Sequence, residues 1–143
     1  MSQSIGVRFN GISQNNFFST SVAGSADVDG DSHPDFVIAA YNASSLAGGV
    51  LGAGQVYIIY GVSNSAEATN IFKTDTSIIS IAQDSSRGRV IDGHDGGMNI
   101  GTASVSIVGD LNKDGFQDVA IGSPWCDSGK GRVFVVFGKP KHL

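Results

Sequence analysis

Short apolar runs separated by clusters of Gly, Asn, Asp and Ser recur along the chain, and none keeps the 3.6-residue period of a surface helix. Runs rich in Val, Ile, Phe and Tyr at 7–10, 20–25, 36–40 and 56–60 have the length and composition of β-strands. A second set follows at 89–92, 103–108, 119–122 and 133–137. Two of these runs, VYIIY and VFVVF, are apolar at every position, so both faces of their sheets must be covered by further layers. The pattern predicts an all-β protein of small sheets stacked face to face, with 66–72 forming one helical turn at most.

The two sets are copies of one unit. GVRFNG at 6–11 corresponds to GRVIDG at 88–93, DVDGDSHPD at 27–35 to DLNKDGFQD at 110–118, and QVYIIYG at 55–61 to RVFVVFG at 132–138. Order and chemistry are kept while the intervening loops change length. The units run from about 6 to 87 and from 88 to 143, with 6–11 expected to be the outer strand of a preceding unit.

Composition narrows the picture. A chain of 143 residues suits one compact domain, and 20 Gly against 3 Pro points to tight turns. Cys126 is the single cysteine, which excludes an internal disulfide and suggests a small buried apolar residue. No run approaches the ~20 apolar residues of a membrane-spanning helix, so membrane insertion is not expected, and MSQSIGVRFN lacks the pattern of a secretory leader. The formal net charge of −4 is local: seven of the 13 acids lie in 27–35 and 110–118, and Lys and Arg outnumber the rest. With no basic stripe, nucleic acid is not an expected partner; Lys139 and Lys141 read as a solvated tail.

The acids in 27–35 stand at positions 1, 3, 5 and 9, as Asp27, Asp29, Asp31 and Asp35. The second loop repeats this as Asp110, Asn112, Asp114 and Asp118. Hard oxygens at alternate positions of a curled loop can all point inward, as Ca²⁺ needs for its six to eight ligands, and position 7 adds a backbone carbonyl from His33 or Phe116. Like charges so close together call for a cation. Mg²⁺ demands stricter geometry, and Zn²⁺ would want imidazole or thiolate beyond His33 alone. A helical EF-hand is excluded because position 12 is Ile38 or Ile121, inside an apolar strand where that motif needs Glu.

These residues resemble the FG-GAP repeat, the blade unit of integrin-α-type β-propellers. The second copy reads Ile100-Gly101, Ser104-Val105, the Asp loop, Gly122-Ser123-Pro124 and the 131–138 strand; the first reads Phe18-Ser19, Ser21-Val22, the Asp loop, Ala39-Ala40-Tyr41 and 54–61, departing at the tripeptide. The resemblance implies two four-stranded antiparallel blades and two Ca²⁺ per chain in structural loops on the lower face. It also implies an extracellular or cell-surface setting and a non-catalytic role in adhesion or in recognition of a protein or glycan. A calcium-dependent hydrolase, or an accessory domain of one, is the alternative. Neither His94 nor Ser123 and Ser128 has partners at a recognisable catalytic spacing, and Trp125 is either a ligand contact or buried between blades. The loops at 10–16, 41–53, 92–99 and 125–130 are the expected ligand surface. Two blades do not close a ring of typically four to eight, so the chain is expected to assemble head to tail as a trimer or tetramer, or to join further blades of a longer chain.

Overall fold

The computed structural model describes residues 7–46, 48–63, 75–96 and 98–141. The elements are β1 (Arg8–Asn10), β2 (Phe18–Ala26), β3 (Asp35–Ala40), β4 (Gln55–Ile59), β5 (Asp75–Ser77), α1 (Ile78–Ala82), β6 (Gly88–Asp92), β7 (Val105–Gly109), β8 (Asp118–Ser123), α2 (Cys126–Gly129) and β9 (Arg132–Val136). The expected helical turn at 66–72 lies outside the described residues. The protein is all-β, built on two antiparallel sheets that have the form of propeller blades in an open arrangement. The first sheet has four strands in the order β2-β3-β4-β6 and the second has three, β7-β8-β9.

The two expected antiparallel blades are therefore present, with four strands and with three among the described residues. The strand at 88–92 pairs with β4, Val56 opposite Ile91, and completes the first sheet, so the sheet ends after Asp92 although the repeat restarts at 88. The second sheet has no fourth strand among the described residues. β1 lies beside neither sheet's edge. It pairs in parallel with β5, and Phe9 meets the Phe36 ring edge-on at 5.4 Å, drawn there by the apolar far face of the first sheet.

β4 and β9 show what layering does to one pattern. All five residues of β4 are buried. On one side Val37, Ala39, Val56, Ile58 and Tyr60 pack against Val105, Val119 and Ile121 of the second sheet. On the other, Ile38, Tyr57 and Ile59 pack against Ile78, Ile81 and Phe9. Each such Ile or Val contributes roughly 1.5–3 kcal/mol. β9 turns Phe134 and Val136 to the shared core, but Val133 and Val135, with Phe137 just beyond, face outward and are exposed, because nothing covers them among the described residues.

In both sheets a register shift precedes the Asp loop, between Gly24 and Ala26 and between Ile107 and Gly109. A bulge of this kind bends the strand and re-aims the chain that follows. Both Asp loops consequently leave the sheets at one end. The described residues of the loops at 10–16, 41–53, 92–99 and 125–130 gather at the opposite end, where Asn42 Nδ2 donates to Asn15 O (2.8 Å) and the Phe17 and Tyr41 rings stack at 5.1 Å.

Candidate metal centre

Each Asp loop is shaped by its own carboxylates. In the first, Asp27 Oδ1 accepts from the Gly30 and Asp31 amides (2.6 and 3.0 Å) and Oδ2 from Ser32 (2.8 Å). Asp29 Oδ1 accepts from the Asp31 amide (3.1 Å), and Asp31 Oδ1 from His33 (2.9 Å). The second loop repeats the network. Asp110 accepts from Asp114 and Gly115 (3.1 and 2.8 Å), Asn112 Oδ1 from Asp114 (3.3 Å), and Asp114 Oδ1 from Phe116 (3.0 Å). These turns require left-handed backbone at positions 4 and 6, and the sequence supplies it differently: Gly30 and Ser32 in one loop, Lys113 and Gly115 in the other.

The ninth position has a role that spacing does not disclose. Asp35 accepts from the Val28 amide at the loop entrance (2.8 Å) and from the Gly61 amide just beyond β4 (2.7 Å). Asp118 accepts in the same way from Leu111 (2.8 Å) and Gly138 (3.0 Å). This carboxylate clasps the loop to the far end of the third strand. Glycine is needed there because a Cβ on Gly61 would strike Pro34 O, and one on Gly138 would come within 2.6 Å of Gln117 O.

Carboxylate oxygens of Asp27, Asp29 and Asp35 lie within 4.8 Å of one another, and among the described residues this is the group gathered tightly enough to hold a metal. Asp31 turns aside toward His33 and Lys141, and Asp110, Asp114 and Asp118 are less tightly drawn together. Asp29 and Asp35 are 4% and 1% exposed. Burial above all, with the charges of Asp29 and Asp31 adding, pushes Asp35 up to about 6 against the pull of its two amides. Burial likewise raises Asp29 against the pull of Lys141, the sole partner of its Oδ2. A largely buried, all-oxygen cluster in which burial raises Asp29 and Asp35 is a fit for a hard divalent cation.

The first loop is also roofed. Gly30 lies under Phe116, where a Cβ would strike the ring, and the Gln117 amide donates to Asp27 O (3.1 Å). The stretch after β9 crosses the loop: the Lys139 amide donates to Val28 O (3.0 Å), and Lys141 Nζ stands 2.5 Å from Asp31 Oδ2 and 3.1 Å from Asp29 Oδ2. The expectation of a solvated basic tail is therefore corrected for Lys141, whose side chain is 21% exposed. Burial draws its charge down, but the bonds to Asp31 and Asp29 outweigh this and hold the ammonium above the ordinary lysine range.

Elsewhere, Ser123 is buried, with Oγ 2.5 Å from Met98 O and 2.9 Å from Cys126 Sγ, which is a packing role. Trp125 is 61% exposed at the loop end and lines a cleft of ≈ 150 Å³ with Asp95, Met98 and Arg132.

The two sheets, the bulged entries and the paired Asp loops define the class, and the sequence comparison agrees: the FG-GAP repeat matches at residues 18–59 and 102–136, more than half of the chain. The chain belongs to the FG-GAP repeat family. It is 31% identical over 118 residues to phosphatidylinositol-glycan-specific phospholipase D of Mus musculus, covering 80% of this chain and 12% of that protein. It is 29% identical over 135 residues to integrin alpha-PS5 of Drosophila melanogaster, covering 94% of this chain and 11% of that one. Human integrin alpha-7 is 49% identical over 35 residues, 24% of this chain and 3% of the integrin. The chain thus spans about an eighth or less of the length of these relatives. No helix among the described residues is long and apolar enough to cross a membrane.

Proposed function

We propose that this chain is a non-catalytic, calcium-stabilised pair of propeller blades that presents loops for adhesion or recognition. The observation that carries the calcium reading is the convergence of Asp27, Asp29 and Asp35 oxygens within 4.8 Å, with Asp29 and Asp35 buried. Ca²⁺ in the first loop takes Asp27, Asp29, Asp31, Asp35 and the His33 carbonyl; in the second it takes Asp110, Asn112, Asp114, Asp118 and the Phe116 carbonyl. The ion neutralises the carboxylates that bend each hairpin, so its effect is on the shape of the blade. An extracellular or cell-surface setting agrees with the integrin resemblance and supplies enough calcium for sites of ~10⁻⁴–10⁻³ M.

The ligand surface is the end opposite the Asp loops, where Trp125 and the cleft with Asp95 and Arg132 lie. The exposed outer face of β9 calls for a further blade. A neighbouring blade on the far face of the first sheet, whether from a second copy stacked head to tail, three or four to a ring, or from further blades of a longer chain, would have to displace Phe9, Ile78 and Ile81. The phospholipase relative favours a second reading, an accessory domain of a hydrolase.

Melting with calcium and with chelator tests the proposal, followed by light scattering in both conditions. Calcium at 100 times its Kd should add about 2.7 kcal/mol per site. Equal melting temperatures in the two conditions would sink the calcium reading. A ring mass of three or four chains would favour self-assembly over further blades.

A further inference from the structure

The first Asp loop already holds a positive charge. Lys141 Nζ lies between Asp31 Oδ2 and Asp29 Oδ2, 5.3 Å from the centre of the Tyr60 ring. The backbone around it is fixed on two sides. The Lys139 amide donates to Val28 O (3.0 Å), and Arg89 Nη2 donates to Pro140 O (3.0 Å). The Asp29 side chain is wholly buried, so its charge meets the ammonium rather than solvent. Asp29 Oδ2 is paired with the ammonium at 3.1 Å and has no other hydrogen-bond partner. The two oxygens that Lys141 engages belong to positions 3 and 5 of the loop, both calcium ligands on the reading above. A divalent ion bound to those oxygens would stand within a few ångströms of the ammonium, and two positive charges at that distance repel strongly in a partly buried site. Among the described residues no lysine is placed over the second loop in this way, and there position 3 is the neutral Asn112.

Resting on the calcium reading, we propose that Lys141 is the resident counter-ion of the first loop, that Ca²⁺ fills this loop only by displacing the ammonium, and that filling it unfastens 139–141 from Val28. The two loops then fill at different calcium concentrations, the second before the first. Asp29 Oδ2, which has no partner besides the ammonium, is the oxygen that a displacing metal would take over.

Calcium titration calorimetry on the unaltered protein, Lys141→Met and Lys141→Arg tests this, with amide exchange at Lys139 as the second readout. Methionine keeps most of the stem and removes the charge; arginine keeps the charge. The expected result is two binding events, with the weaker one tightened roughly tenfold or more by Lys141→Met, left weak by Lys141→Arg, and the stronger one unchanged in both. A single event that becomes two in Lys141→Met is the same result at its limit. Calcium should also speed exchange of the Lys139 amide in the unaltered protein. Two ions bound with affinities that Lys141→Met leaves unchanged or weakens would overturn the proposal and leave the calcium reading standing. Absence of calcium binding in all three proteins would overturn the calcium reading, and this proposal with it.

Discussion

In the loop at 27–35, glycine stands at position 4 and serine at position 6; in the loop at 110–118, lysine stands at 4 and glycine at 6. Both pairs nevertheless take positive φ, 80° and 68° in the first loop, 62° and 95° in the second. In both loops position 1 accepts from the amides of positions 5 and 6, and the bonds accepted at positions 3, 5 and 9 recur, while the bond from the Gly30 amide to Asp27 is seen in the first loop. What differs is the surroundings. Phe116, Gln117 and Lys141 cover the first loop, while residues 111–115 of the second are exposed. The same Asp pattern therefore folds both hairpins, and the neighbouring elements decide how open each is to solvent.

Removing calcium from a saturated protein is the largest perturbation of this comparison. About 5 kcal/mol should be lost for two sites held at 100 times Kd, with a fall of some 15–20 °C in the melting temperature. A loss half that size would mean that one loop alone binds. Next come Asp35→Ala and Asp118→Ala, each of which strands two backbone amides. Each should cost about 2–4 kcal/mol by urea unfolding even in chelator, because the clasp to Gly61 or Gly138 exists without the ion. Costs differing by more than about 1 kcal/mol would break the equivalence of the loops.

Two smaller substitutions probe the roof and the backbone. Gly30→Ala must force a methyl group into the Phe116 ring at φ 80°, whereas Gly115→Ala at φ 95° meets nothing within 4 Å. The first should cost about 2–4 kcal/mol and the second about 1. Equal costs would show that Phe116 yields freely. Finally, Ser32→Gly and Lys113→Gly should each stabilise by no more than about 1 kcal/mol, since the relief of left-handed strain is partly offset by the entropy of glycine. A loss in either variant would mean that the side chain makes contacts that outweigh its strain.

Much of the fold was legible in the sequence because strand and loop carry local signals. The runs at 36–40 and 56–60 became β3 and β4 to within a residue at each end, and VYIIY is covered on both faces as its apolar pattern requires. β5 and α1 were missed, since they fall in the stretch between the repeats where no second copy exists to align. The site was legible as a set of residue types and less so as a geometry. Asp31 is drawn off by Lys141, 110 residues away in sequence, and nothing local to either residue announces that contact. The clasp made by position 9 was equally hidden, although a glycine at the same place after both third strands, Gly61 and Gly138, was a signal that could have found it. VFVVF misled in one respect: its outward residues have no layer over them among the described residues.

The clasp also has a mechanical meaning. Gly61 is where the chain leaves the first sheet, and its amide is held by Asp35. A pull on the chain beyond Gly61 reaches that carboxylate before it reaches the β3–β4 ladder, so the first bond to rupture belongs to the ninth residue of the Asp loop. A blade loaded in this way would hold or yield according to the stiffness of its acidic hairpin, and whatever cation sits there would set the force at which the propeller begins to unravel.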